Sequence, residues 1–167
     1  MKIFLASDHA GFTLKNELKN FLIDNHYSVE DCGALSLNND DDYPDFISIL
    51  ASKVLNEPNS LGLIFGGSGQ GEAIVANKFK GIRCALYYGA KMPLSSIDVE
   101  GNKSEDKDEI LKLSKVHNNA NVLSIAARFV DVTEAKHAVL IWLNTPYTGL
   151  ARHQRRINKI TQIEQKT

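Results

Sequence analysis

An α/β fold with a mostly parallel five-stranded sheet is predicted by three features of the sequence. Short apolar runs alternate with amphipathic segments along the chain. The runs have strand length, and the segments between them carry apolar residues at helical spacing. Alternation at this interval is the pattern of βαβ units, whose crossover helices cover both faces of the sheet. With 167 residues, 43% of them hydrophobic, the chain suits one well-filled core and is short for two. A single domain over 1–167 is expected.

Each element has its own justification. "KIFLAS" (2–7) reads as a buried strand, and Leu14, Leu18, Phe21 and Leu22 then fall on one face of a helix. "SVEDCG" (28–33) reads as an edge-like strand. "DDDYPDF" (40–46) is a loop entering a helix, with Pro44 in its first turn and an apolar stripe of Phe46, Ile49, Leu50 and Val54. "LGLIFG" (61–66), "IRCALYY" (82–88) and "NVLSIAARF" (121–129) supply three more strands. Between the last two, residues 89–109 are polar and rich in acids, a long exposed loop or lid before a helix around "ILKLSKVHN". Ala135, Val139, Leu140 and Leu143 mark another helix, and "GLARHQRRINKITQIEQKT" a final basic one. In such sheets ligands bind beyond the carboxyl ends of the strands, so the loops after residues 7, 33, 66, 88 and 129 share one rim.

Composition removes several classes of function. Nineteen Lys and Arg against twenty Asp and Glu give a net charge of −1, which points to neither nucleic acid nor an anionic membrane. The N-terminus lacks a signal-peptide core, and no stretch approaches the roughly 20 apolar residues of a membrane span. Cys32 and Cys84 form neither a disulfide framework nor a metal pair, so a cytoplasmic protein with reduced thiols is expected. The five histidines lack zinc-ligand spacing, and no metal is expected; His26 and His137 read as structural.

The chemistry concentrates in "GGSGQGEAIVANK" (66–78). As a phosphate-binding P-loop it fails, because Glu72 and Ala73 stand where Lys and Ser or Thr are required. As a dinucleotide loop it also fails, since glycines at 67 and 69 demand a third at 72. What survives is a glycine turn whose backbone N–H groups form an anion nest. A nest beside a carboxylate suits removal of a proton next to a carbonyl, with the amides holding the oxyanion. Glu72 would start from a carboxylate pKa of ~4.3. A helix start lowers that value and burial raises it, and the sequence leaves the balance open.

Other polar clusters border the rim, each with a plainer reading. Asp8 and His9 in "SDHAG" are a helix cap and a loop histidine, or site residues. Tyr43 is a packing residue unless the rim is the site. His117 and Asn118 in "HNNANV" form a turn, or carry a proton shuttle. Arg128 is a surface charge or an anion contact. Arg152 and Arg156 in "RHQRR" lie at i, i+4 and make either a solvated basic face or a phosphate clamp.

Together "SDHAGF", "DYPDF", "GGSGQGEAIVANK", "GIRCAL", "HNNANVL" and "RHQRR", in this order over nearly the whole chain, resemble the type B ribose-5-phosphate isomerase family. That family also includes galactose-6-phosphate and allose-6-phosphate isomerases. The resemblance implies a Rossmann-like three-layer α/β/α sandwich, a homodimer or dimer of dimers, and no metal or organic cofactor. Many members carry a cysteine base just before the glycine loop, where this chain has Gly66. An actinobacterial-like branch uses a glutamate just after it, matched here by Glu72.

The implied reaction interconverts ribose 5-phosphate and ribulose 5-phosphate through an enediolate. Its implied parts are Glu72 as base, His117 for ring opening, and Ser68 adding a hydroxyl. Gly67, Ser68, Gly69 and Gly71 would supply the anion hole. Asp8, Tyr43 and Asn118 would contact the sugar, and His9, Arg128, Arg152 and Arg156 the phosphate. His117, Asn118 and Arg128 would come from the neighbouring subunit. Residues 89–116 depart from the family by their length, and could reshape the sugar end, pack at an interface or be a tolerated insertion. Isomerisation of a four- or six-carbon aldose phosphate is the nearest alternative. A non-catalytic sugar-phosphate sensor would need neither Glu72 nor His117.

Overall fold

A computed structural model of the chain describes residues 1–166. The elements run β1 (Lys2–Ser7), α1 (Phe12–Asp24), β2 (Ser28–Asp31), α2 (Tyr43–Asn56), β3 (Leu61–Gly66), α3 (Gln70–Ala76), β4 (Cys84–Tyr87), α4 (Glu109–Val116), β5 (Val122–Ala126), α5 (Val132–Asn144) and α6 (Ala151–Glu164). The five strands pair in the order β2-β1-β3-β5-β4, and every pairing is parallel. β2 lies at one edge, as its mixed composition suggested, and β4 at the other.

Strand alternation divides the core into two layers. Ile3, Leu5, Leu63, Phe65, Leu123 and Ile125 face α1 and α5, packing against Leu14, Leu18, Leu22, Val139 and Trp142. Phe4, Ala6, Ile64 and Val122 face the other way, against Ile47, Leu50, Ala51 and Val54 of α2 and Ala76 of α3. The sandwich therefore has three layers, as a Rossmann-like fold requires. No described helix is long and apolar enough to cross a membrane.

Two helices and one strand refine the sequence expectations. On α2 the inward stripe is Ile47, Leu50, Ala51 and Val54, while Ile49 is 46% exposed. Leu50 and Val54 are buried as predicted and Phe46 packs against the same cluster, while Ile47 and Ala51 stand inward in place of Ile49. On α5, Trp142 and Ala138 fill the centre, and Leu140 is only half-buried. The helix starts where Asp131 Oδ1 accepts the Glu134 N–H at 2.9 Å, a side-chain N-cap. At the end of β5 Ala127 donates to Gly66 O, the last bond in ladder register with β3, and Arg128 then turns to Gly67 O.

One buried charge locks the β2 edge. Lys15 is fully buried, and its Nζ donates to Asp31 Oδ1 at 2.7 Å and to Ala34 O at 2.5 Å. Lys19 Nζ takes the other Asp31 oxygen at 2.8 Å. The pair ties α1 to the turn after β2, next to the rim. Residues 89–108 contain no helix or strand, as their composition predicts.

Candidate active site

β3 runs fully buried up to Gly66 and delivers the glycine loop at the carboxyl end of the sheet. Gly69 turns the chain at φ +70°, which L side chains rarely adopt, and α3 begins at the next residue. Ser124 Oγ of β5 donates to Gly69 O at 2.7 Å and pins the loop from below. Among the described residues, the N–H groups of Ser68 and Gly69 meet no acceptor. They are available to an anion. The Ser68 hydroxyl accepts the Gln70 N–H at 3.3 Å.

Glu72 sits in the first turn of α3 and is buried, 4% exposed. Its carboxylate folds back over the end of β3. A Cβ placed on Gly66 would lie 1.8 Å from Glu72 Oε1 and 2.4 Å from Oε2. The carboxylate thus fills the space where a side chain at position 66 would stand. A side chain at position 66 and the Glu72 carboxylate therefore compete for one place at the end of β3. The balance left open by sequence is also resolved. Burial, aided by the negative charge of Asp8, raises the Glu72 pKa above its ordinary value, although its own backbone N–H opposes the shift. The raised value makes the carboxylate a better base near neutrality. Cys84 is no rival, because burial pushes its thiol up to about 12.

Around this carboxylate the same rim gathers four predicted residues. Asp8 is buried, and its Oδ1 accepts the N–H groups of Ala10 at 2.9 Å and Gly11 at 3.3 Å. His9 Nδ1 meets Asp41 Oδ1 at 2.7 Å, and the same oxygen accepts the His9 N–H at 3.0 Å. The Asp41 hydrogen bond raises the His9 pKa and favours the cationic ring. Tyr43, the first residue of α2, closes on Gly71, where an added Cβ would come within 2.8 Å of its hydroxyl. Arg128 lies flat on Gly67, its guanidinium carbon 3.1 Å from where a Cβ would be, and its charge acts on His9. This differs from the expectation that Arg128 arrives from a neighbour. The two backbone bonds from residues 127 and 128 to the glycine loop hold it on its own rim.

His117 and the basic helix form a second group. His117 caps α4 just ahead of β5, hence at the amino end of the sheet. Its ring stacks on His153, with centroids 4.1 Å apart and planes 11° apart. Arg152 Nε donates to His153 Nε2 at 3.0 Å, and Arg156 lines the same small cavity. Burial first, then Arg152 and Arg156, lower the His117 pKa and favour the neutral imidazole. Asn118 is exposed beside it, its carbonyl accepting Arg83 Nε at 3.0 Å. Among the described residues no hydrogen bond, ion pair or ring contact links this group to the Glu72 rim.

Two participants escaped the sequence reading. Asp41 lay inside the quoted "DDDYPDF", where four acids in a short stretch gave no means of choosing the partner of His9. His153 lay inside "RHQRR", and only its stacking on His117 marks it out. Asp8, His9 and Asp41 also bring their donor atoms within 4.8 Å of one another, a spacing compatible with a cation. The short His9–Asp41 bond and the two amides on Asp8 instead occupy most of those atoms with each other and the backbone.

Comparison with known proteins matches these features. The chain matches the family described as Ribose/Galactose Isomerase over residues 3–97 and 106–160. It is 38% identical over 164 residues to ribose-5-phosphate isomerase B of Mycolicibacterium paratuberculosis, covering 98% of this chain and 92% of the relative. The probable ribose-5-phosphate isomerase B of Mycoplasma genitalium is 37% identical over 166 residues, covering 99% and 97%. A crystal structure of ribose-5-phosphate isomerase B from Mycoplasma genitalium with bound ribulose-5-phosphate superposes with a TM-score of 0.84 at 35% identity, covering 99% and 97% of the two chains. The Clostridium thermocellum enzyme gives the same TM-score at 34% identity, covering 99% of each. A buried carboxylate over a glycine turn, on this sheet and with these relatives, places the chain in the ribose/galactose isomerase family.

Proposed function

We propose that the chain interconverts ribose 5-phosphate and ribulose 5-phosphate, with Glu72 as the base. The observation that carries this reading is the buried Glu72 carboxylate, raised in pKa, standing at the end of β3 beside the unpaired amides of Ser68 and Gly69. After ring opening, assigned to His117, Glu72 takes the proton from C2. The electrons of that C–H bond move into the C1–C2 bond, and the carbonyl electrons move onto O1. Loop amides from Gly67 to Gly71 hold the oxyanion so formed. Return of the proton to C1 leaves the carbonyl at C2, while the hydroxyl proton passes from O2 to O1, a transfer assigned to Ser68. Asp8 and Tyr43 border the sugar, and Asn118 contacts it from the other group. His9, Arg128, Arg152 and Arg156 hold the phosphate.

His117, Asn118, Arg152 and Arg156 lie at the opposite end of the sheet from Glu72, so a complete site takes them from a second copy of the chain. A homodimer, or a dimer of dimers, follows. The test is aldose–ketose conversion of ribose 5-phosphate, without added metal, by wild type and Glu72→Gln. Positioned acid–base groups contribute about 10²–10⁴-fold. Glu72→Gln should therefore lose turnover by that factor while still binding phosphate. An inactive wild-type dimer would turn attention to four- and six-carbon aldose phosphates, and an active Glu72→Gln would remove the base.

A further inference from the structure

We infer that Glu100 sets the affinity of the enzyme for its phosphorylated substrate, as a built-in anion that competes for Arg152. The inference rests on the phosphate-binding role proposed for that arginine. Residues 98–105, with Glu100 among them, fall between the two segments matched by the family model.

Four observations converge on it. First, the insertion does not float free. Lys91 N–H donates to Lys107 O at 2.8 Å, and Ile97 N–H donates to Asn102 O at 2.8 Å, closing the loop at its base and near its tip. Second, the tip is shaped. Asp98 accepts the Asn102 backbone N–H at 3.0 Å and its side-chain amide at 2.6 Å, and Gly101 makes the turn at φ +86°. Third, the shaped tip reaches the basic helix: Glu100 Oε1 pairs with Arg152 Nη1, 52 residues away. Fourth, the strap covers what the arginine serves. Ser96, Asp98 and Val99 wall one side of a cavity of about 230 Å³ whose other side is His117, Arg152 and Arg156.

The Glu100 oxygen on Arg152 Nη1 takes a donor that a phosphate oxygen would take. Substrate must therefore displace Glu100 to gain that arginine. The strap and the arginines belong to one chain, so they travel together to whichever subunit's substrate they meet. The pair is partly open to water, with side-chain exposures of 24% for Arg152 and 56% for Glu100. Ion pairs of that kind are weak, which limits the competition to about two- to five-fold in affinity. A weak competitor suits the role: it keeps the arginine placed and yields to a dianion.

The experiment uses the full chain and Glu100→Gln, a near-isosteric surface change. KM for ribose 5-phosphate should fall about two- to five-fold, and the inhibition constant of inorganic phosphate should fall by a similar factor. Glu100→Asp, which keeps the charge, should stay closer to wild type. An unchanged or higher KM in Glu100→Gln overturns the inference. Direct calorimetric titration with inorganic phosphate separates the two layers of the argument. If wild type fails to isomerise ribose 5-phosphate yet Glu100→Gln binds phosphate more tightly, the inference stands and the substrate assignment falls. Equal phosphate affinity in both proteins overturns the inference whatever the activity.

Discussion

Gly66→Ala tests the site at its tightest point. The new methyl would lie 1.8 Å from Glu72 Oε1, 2.0 Å from its Cδ and 2.4 Å from Oε2. Ordinary contact begins at 3.4 Å, so the carboxylate has to retreat by about 1.6 Å. The obstructing atoms are the end of a side chain, which can swing aside, so the sheet need not deform. Displacement of a reacting group by about 1 Å costs on the order of 10²-fold. Turnover of ribose 5-phosphate should therefore fall at least about 10²-fold, with inorganic phosphate binding retained. The decisive control is Gly66→Ala in a Glu72→Gln background. Two changes that disable one group are not additive, so the double variant should be no slower than Glu72→Gln alone. A Gly66→Ala enzyme with turnover within threefold of wild type would refute the placement of the base.

Three further outcomes are expected. Burial holds the Glu72 pKa above its unfolded value, so the folded chain binds that proton more readily and stability falls as pH rises from the ordinary value of ~4.3 through the raised one. Glu72→Gln should accordingly melt at a higher temperature than wild type near pH 7.5, and the difference should vanish at acid pH; an equal or lower Tm near pH 7.5 contradicts the burial argument. The Asp41 bond raises the His9 pKa, and stabilisation from that pair is complete below the unfolded value of ~6.5 and is lost as pH rises through the folded one. In Asp41→Asn, inhibition by inorganic phosphate should fade at lower pH than in wild type, and coincident pH profiles would remove His9 from the phosphate end. Lys15→Ala removes the donor to Ala34 O and leaves Asp31 with Lys19 and the Gly33 N–H. Urea denaturation should show a loss near the lower end of the ~3–5 kcal/mol typical of a broken buried pair. A loss under ~1 kcal/mol would show that Lys19 suffices.

What could be read from the sequence was what lies close together along it. β1 and β3 run over 2–7 and 61–66 as predicted, because both are short apolar runs with sharp polar ends. The glycine turn and Glu72 were legible for the same reason, being neighbours within seven positions. The end of β5 was not, because it depends on carbonyls of Gly66 and Gly67 supplied some 60 residues earlier. On α2 only Ile49 was misplaced, since Ile47 and Ile49 are equally apolar and only the neighbouring strands choose between them. His9 finds Asp41 across 32 positions and Arg152 finds Glu100 across 52, distances over which periodicity carries no information. Arg128 was assigned to a neighbour by resemblance, and the backbone bonds from residues 127 and 128 to Gly66 and Gly67 seat it beside its own glycine loop.

The parallel order of the sheet also has a consequence for how activity depends on abundance. With Glu72 beyond the carboxyl end of β3 and His117 ahead of β5, each chain is two complementary fragments facing opposite ways. In the two-copy site proposed above, no single copy closes on itself, and each borrows what it cannot reach from another. Catalysis is then a property of the encounter between chains, and on dilution it declines faster than the protein itself. The same arrangement lets two damaged chains repair each other. A copy broken at its base and a copy broken at its histidine can still assemble one sound centre between them.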